Sequence, residues 1–145
     1  MNSSQGEVDL TKLLASMEPT LNPEVFVFLS ISESILSFPT TLRPQMLFQE
    51  AEGLTMVTTE ALAASHGYQG TFPCRMITLK VHSSLEAVGL IATLATALTE
   101  RNISSNVVSG YFHDHIFVPS GKEEDALKVL EEVARKALAK QKVQL

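Results

Sequence analysis

Residues 77–119, ITLKVHSSLEAVGLIATLATALTERNISSNVVSGYFHDHIFVP, constrain the fold more than any other part of the chain. An apolar, β-prone run enters a serine-rich corner. A helix of small and apolar residues follows, then two short β-prone runs around a tight turn. Val88, Ile91, Ala95 and Leu98 recur at helical spacing and give the helix one apolar stripe. Ser83 and Glu86 stand three apart, the spacing of a capping box, which predicts a helix over residues 85–101. Asn102 suits a left-handed stop at its end. Strands are expected over 76–82, 105–111 and 115–118, with His113-Asp114 in the hairpin turn.

The first half of the chain has the same order in weaker form. A short helix over 9–17, with Leu10, Leu13 and Leu14 at helical spacing, is stopped by Pro19 and Asn22-Pro23. The run VFVFL at 25–29 reads as a buried strand, and 32–41, with Pro39 and several hydroxyls, as a loop. Strands at 45–50 and 54–58 flank the turn Glu52-Gly53. A brief helix over 59–66 closes at Gly67. Each half thus reads strand, connector, strand, strand, helix, the connector being a loop in the first and a helix in the second. The last helix starts at a second capping box, Ser120 with Glu123, and is lined by Ala126, Leu130, Val133 and Ala137; acids lead it and bases end it, matching its dipole. The fold class expected is α+β, tandem ferredoxin-like βαββα units with antiparallel sheets and helices on one face. Residues 1–22 form a leader and short helix, 23–73 a degenerate unit, and 74–145 a second unit. A sheet lacking its final strand must leave an edge open or borrow one: from strand 76–82, by interleaving the halves, or from another subunit.

Charge and cysteine content narrow the function. At 145 residues and 45% hydrophobic, the chain can build one ordinary domain or two small ones sharing a core. A net charge of −5 argues against nucleic acid, which needs a clustered basic surface. The late basic residues, from Lys128 to Lys142, alternate with acids and read as a solvated helix face. Cys74 is alone, so no internal disulfide or cysteine metal pair can form. A single thiol, a polar acidic amino terminus unlike a signal peptide, and no run long enough for a membrane span lead to the expectation of a cytoplasmic protein without a membrane partner. No nucleophile elbow, P-loop or dinucleotide glycine pattern occurs. Catalysis would have to rest on Cys74, activated by Arg75, with His82 as base. The expectation is therefore a protein that is not an enzyme and uses no cofactor.

The stretch from Thr78 to the last helix, with HSSLEAVGL and NVVSGYFHDHIFVP in it, resembles the ACT domain; EGLTMV at 52–57 resembles it more weakly. The resemblance implies a small bacterial stand-alone protein with tandem units of a regulatory fold that binds amino acids and other small ligands. It also implies an amino acid between the corner of one unit and a strand of its neighbour. Many ACT units carry an Asp-x-Pro-Gly type corner. Here His82 to Gly89 keeps the glycine and lacks the proline.

A free amino acid presents a carboxylate and an ammonium close together. Unpaired N–H groups at a helix start suit the first, and the Ser83-Ser84 corner is where they are expected. Gly89, without a Cβ, permits close approach. The ligand site expected is therefore His82, Ser83, Ser84, Leu85, Glu86, Val88 and Gly89 on the corner. Asn106, Val107 and Val108 of the following strand, with Asp114, complete it and supply acceptors for the ammonium. Glu86, in the first helical turn, either repels a carboxylate or grips a cation. Structural roles compete at each position: Ser83 and Ser84 as caps, Gly89 for close packing, Asn106 at a strand end, Tyr111 and Phe112 as hairpin packing. Two further readings stand beside the ligand sensor. His113-Asp114-His115, joined by His82, offers ligands for a divalent metal against a plain role in the turn. The chain could also be a homodimerisation module with no ligand, and a homodimer is expected in either case.

Overall fold

The computed structural model describes residues 6–143. They divide into two compact units. One joins the described residues up to Asn22 with those from Met76 onward; the other is Pro23–Arg75.

The Pro23–Arg75 unit contains most of β1 (Glu18–Ile31), then β2 (Met46–Gln49), β3 (Leu54–Thr59), α2 (Glu60–Ser65) and the first half of β4 (Thr71–Lys80). β3 pairs antiparallel with β1, Phe26 facing Thr59 and Ile31 facing Leu54, and with β2 on its other side. β4 runs beside β1, where the Cys74 thiol donates to the Phe26 carbonyl at 3.4 Å. Alternate residues point to one side, as a strand's period of two dictates. Val27, Leu29 and Ile31 of β1 and Leu54 and Met56 of β3 are buried together, closed over by Leu42 and Ala63. Gly67, at φ +79, ends α2; Tyr68 N–H returns to Ala63 O and Gly67 N–H to Ala64 O, satisfying the last carbonyls.

The other unit holds α1 (Leu10–Ser16), the rest of β4, α3 (Leu90–Glu100), β5 (Asn106–Ser109), β6 (Asp114–Pro119) and α4 (Glu123–Val143). Its strands lie in the order β4-β6-β5, with β5 at the edge. β5 and β6 form the expected antiparallel hairpin, from Asn106 opposite Phe117 to Ser109 opposite Asp114. All three helices pack on one face. Leu13 and Leu14 of α1, Leu90, Leu94 and Leu98 of α3, and Ala126, Val129 and Leu130 of α4 close over Ile77, Leu79, Ile116 and Val118. The Asp9 side chain caps α1 by accepting from Lys12 N–H. Asn102 is left-handed at φ +58, as expected; its N–H meets Thr99 O while Ile103 N–H meets Leu98 O, closing α3.

The element order and fold class are those expected, but several starts differ. α3 begins at Leu90, not 85, because Gly89 has φ +97 and a helix cannot run through that backbone. Ser84 instead closes a tight turn, its hydroxyl accepting from Glu86 N–H (3.1 Å) and its carbonyl from Ala87 N–H (3.0 Å). The stripe follows the shift: Leu90, Leu94 and Leu98 are buried, while Val88 is 82% exposed. α4 likewise starts at Glu123, after Gly121 at φ +101, and the Glu123 carboxylate accepts from Gly121 N–H. β1 and β4 begin earlier than expected and carry Pro19, Pro23 and Pro73 in their more exposed first halves.

Candidate functional site

The corner between β4 and α3 opens on a cavity of about 170 Å³. Ser83, Ser84, Leu85, Ala87 and Gly89 line it from the corner; Leu90, Ile91 and Ala92 line it from the first turn of α3; Ser109 and Asp114 line it from the hairpin. All belong to one unit.

Two of these walls carry opposite charge. The N–H groups of Leu90, Ile91 and Ala92 have no partner four residues back, because the first closed helical bond is Thr93 N–H to Gly89 O at 2.9 Å. The cap residue is a glycine and offers no side chain, and no acid stands in the first turn. The positive end of the helix dipole therefore faces the cavity. Asp114 supplies the negative wall. It is buried, 7% exposed, and its Oδ2 accepts from the Ser83 hydroxyl at 3.2 Å. The register that sets Ser109 opposite Asp114 brings a further hydroxyl to this wall. Apolar surface comes from Leu85, Ala87, Leu90 and Ile91.

Of the site residues expected from sequence, Ser83, Ser84, Leu85, Gly89 and Asp114 come together at the cavity. His82 stands behind it. Its ring packs on Phe112, with centroids 5.2 Å apart, and on Tyr111 at 6.5 Å, and its buried Nε2 meets no acceptor or donor among the described residues. Glu86 and Val88 point to solvent, and Asn106, Val107 and Val108 lie on β5 outside the lining. The amides beside Ser84 are not the open donors: Ser84 N–H is held by Glu7 O at 2.9 Å. The open donors lie in the turn starting at Leu90. Sequence reasoning missed Ala87, Leu90, Ile91, Ala92 and Ser109. A left-handed Gly89 would have signalled the first-turn residues, and the hairpin register Ser109.

The His113-Asp114-His115 turn is engaged in protein contacts. His113 Nδ1 meets Val81 O at 3.3 Å, His115 Nδ1 meets Thr78 Oγ1 at 2.9 Å, and Asp114 turns to Ser83. Among the described residues no three metal-type side chains converge. Burial pushes the His115 imidazole below its ordinary value; the charge of His113 pushes the same way and Asp114 opposes it. Cys74 is fully buried, and burial pushes its thiol up to about 12, the reverse of an activated nucleophile.

An ACT domain family model matches residues 5–75 and a second ACT domain model matches residues 71–132. The chain is also similar to a Vibrio cholerae protein of unknown function, described as a possible transport protein. The two are 43% identical over 86% of this chain and 95% of that one, with a TM-score of 0.78. The chain therefore belongs to the ACT domain family, with two such domains in tandem. These are regulatory, ligand-binding domains. More distant likenesses extend to the fold alone. An Agrobacterium tumefaciens protein is 16% identical over 81% of this chain and 89% of its own, with a TM-score of 0.58. The regulatory subunit of aspartate kinase from Thermus flavus is 9% identical over 79% and 95%, at 0.56. No curated protein matches the chain. No described helix is long and apolar enough to cross a membrane.

Proposed function

We propose that this protein is a cytoplasmic sensor that binds a free amino acid, or a metabolite of similar size and charge, in the cavity beside Gly89, and performs no reaction. The carboxylate sits on the N–H groups of Leu90, Ile91 and Ala92, and the ammonium on Asp114. The Ser83 and Ser109 hydroxyls fill the remaining hydrogen-bond directions, and the side chain lies on Leu85, Ala87 and Ile91. One observation carries this reading: an uncapped helix start and a buried carboxylate face the same cavity. A zwitterion is the small molecule that matches both. The volume, about 170 Å³, suits a ligand of few heavy atoms, below the roughly 300–1,000 Å³ of drug-sized pockets. The ligand acts by favouring one packing of the protein over another. The protein works as a homodimer, an arrangement supported by the open edge of β5, by the exposed Tyr111 and Phe112 just after it, and by the exposed Leu85 and Val88 of the corner.

The test is a thermal melt with each of the twenty protein amino acids at millimolar concentration. A ligand at a hundred times its dissociation constant adds about 2.7 kcal/mol, a rise of about 5–10 °C for a chain of this size. Asp114→Asn keeps an acceptor for Ser83 but removes the charge, and should abolish the rise. A melting temperature unmoved by all twenty, or an undiminished rise in Asp114→Asn, defeats the reading.

A further inference from the structure

The described residues from Gly6 to Leu10 touch both ends of the ligand corner. Glu7 forms a parallel bridge with Ser83. Its N–H donates to His82 O at 2.8 Å and its carbonyl accepts from Ser84 N–H at 2.9 Å. Gly6 makes this approach possible: it sits at φ +73, and a Cβ there would lie 2.7 Å from His82 O and 2.8 Å from Ser84 N, backbone atoms that cannot yield. Three residues after Glu7, the Leu10 side chain reaches the other end, its Cδ2 lying 3.2 Å from the point where a Cβ of Gly89 would be. Between these contacts stands Ser83, whose hydroxyl is held on Asp114.

We infer that residues 6–10 are a strap that sets the affinity of the cavity, and that occupancy of the cavity in turn holds the strap in place; this rests on the amino-acid reading above. Glu7 grips the backbone on both sides of Ser83, so it fixes where the Ser83 hydroxyl points. Leu10 packs on the residue whose left-handed turn aims the first three amides of α3. Without the strap, the corner from 81 to 89, which is neither helix nor strand, loses its backbone bridge to Glu7, keeps the side-chain bonds from Asp114 and His113, and must be ordered further by the ligand itself. Coupling between two binding events is reciprocal. The factor by which the strap tightens ligand binding is therefore the factor by which the ligand holds the strap closed. α1, Leu10 included, stays docked by Leu13 and Leu14 in the core, so the part of the strap that releases is Gly6 to Val8.

The experiment uses two strap variants of the full chain. Gly6→Val drives a side chain into the His82 and Ser84 backbone, and Glu7→Pro removes the N–H that reaches His82. Gly6 is half-buried and Glu7 exposed, so the core is untouched. Each variant and the wild type are titrated calorimetrically with the twenty protein amino acids, and exchange of the Ser84 amide is followed by NMR with and without the amino acid that binds. Both variants should bind it about five-fold or more weakly, and saturation should slow Ser84 exchange in the wild type by a similar factor. Wild-type affinity in both variants, or Ser84 exchange indifferent to saturation, overturns the strap while leaving the sensor reading intact. A wild type that binds none of the twenty overturns both.

Discussion

Substitution of Gly89 separates the observed site from the one its sequence pattern suggests, because the two disagree in sign. If the helix ran from 85, Gly89 would be an interior helical glycine, and Gly89→Ala would stabilise the protein by up to about 1 kcal/mol. In the structure Gly89 is the cap, at φ +97 and ψ −12. A left-handed conformation costs an ordinary L-residue about 1–2 kcal/mol. Space is a minor matter: the added Cβ would meet Leu10 Cδ2 at 3.2 Å and Leu10 Cδ1 at 3.9 Å, the ends of a flexible side chain that can shift slightly. Strain therefore dominates, and Gly89→Ala should lose about 1–2 kcal/mol. At about 2–4 °C per kcal/mol for chains of this size, the melting temperature falls by about 2–8 °C. Asn tolerates the left-handed region better, as Asn102 does at the other end of the same helix, so Gly89→Asn should fall between wild type and Ala. Val, β-branched, should be worst of the three, and by crowding the first-turn amides it should also abolish the amino-acid response while the fold survives. Scanning calorimetry of the four proteins reads the order. A higher melting temperature for Gly89→Ala, or Asn below Ala, would refute the placement of the helix start.

Other outcomes follow from burial. Cys74 is inaccessible and its thiol is pushed up to about 12, so alkylation by iodoacetamide at about pH 8 should be negligible in the native protein and rapid in denaturant; fast native labelling would refute this. Leu94, fully buried on the inner side of α3, should cost about 2–5 kcal/mol on change to Ala, read from urea denaturation; a loss below about 1 kcal/mol would show that the core there is loosely packed. His115 is held neutral in the fold, its imidazole lowered from the ordinary 6.5. The unfolded chain therefore binds more protons as pH falls through 6.5, and stability present above that value is lost as pH falls toward the folded pKa. Urea midpoints between about pH 7.5 and about pH 5 should fall less in His115→Gln than in wild type, and equal slopes would remove His115 as the cause.

Much of this architecture could be read from the chain because its signals are local. Asn102 and Gly67 stop helices through bonds spanning five or six residues, and the run LTMVTT with the turn before it sets up a hairpin within a dozen. Periodicity, with the capping box and the run from acids to bases, identified α4 and its buried Ala126 and Leu130. The candidate site was half legible for the same reason. Ser83, Ser84 and Leu85 were visible as a corner, but the partner that takes up the Ser84 amide is Glu7, far away in sequence. A single parallel bridge leaves no periodic trace in either segment. Strand starts were lost at Pro19 and Pro73, where local rules read proline as punctuation and the sheet tolerates it.

The capping-box reading failed for a reason that bears on function. Ser83 and Glu86 have the right spacing, yet in the structure Ser83 serves Asp114 and Glu86 is exposed outside the helix. A Glu86 in the first turn would have set a carboxylate against any bound anion and closed one of the open donors. Gly89 removes both obstacles at once. Its left-handed backbone delays the helix to Leu90, leaves Glu86 behind in solvent, and caps the new start with a residue that has no side chain to compete for the amides. A helix built for stability alone would carry Ser, Thr, Asp or Asn at that position, as α1 does with Asp9 and α2 with Thr59. Each of those caps takes up one first-turn amide with its own side chain, Asp9 that of Lys12 and Thr59 that of Leu62. α3 has no side-chain cap and leaves its first amides toward the cavity, and it is this difference between helices of one chain on which the proposed place for a ligand's anionic group rests.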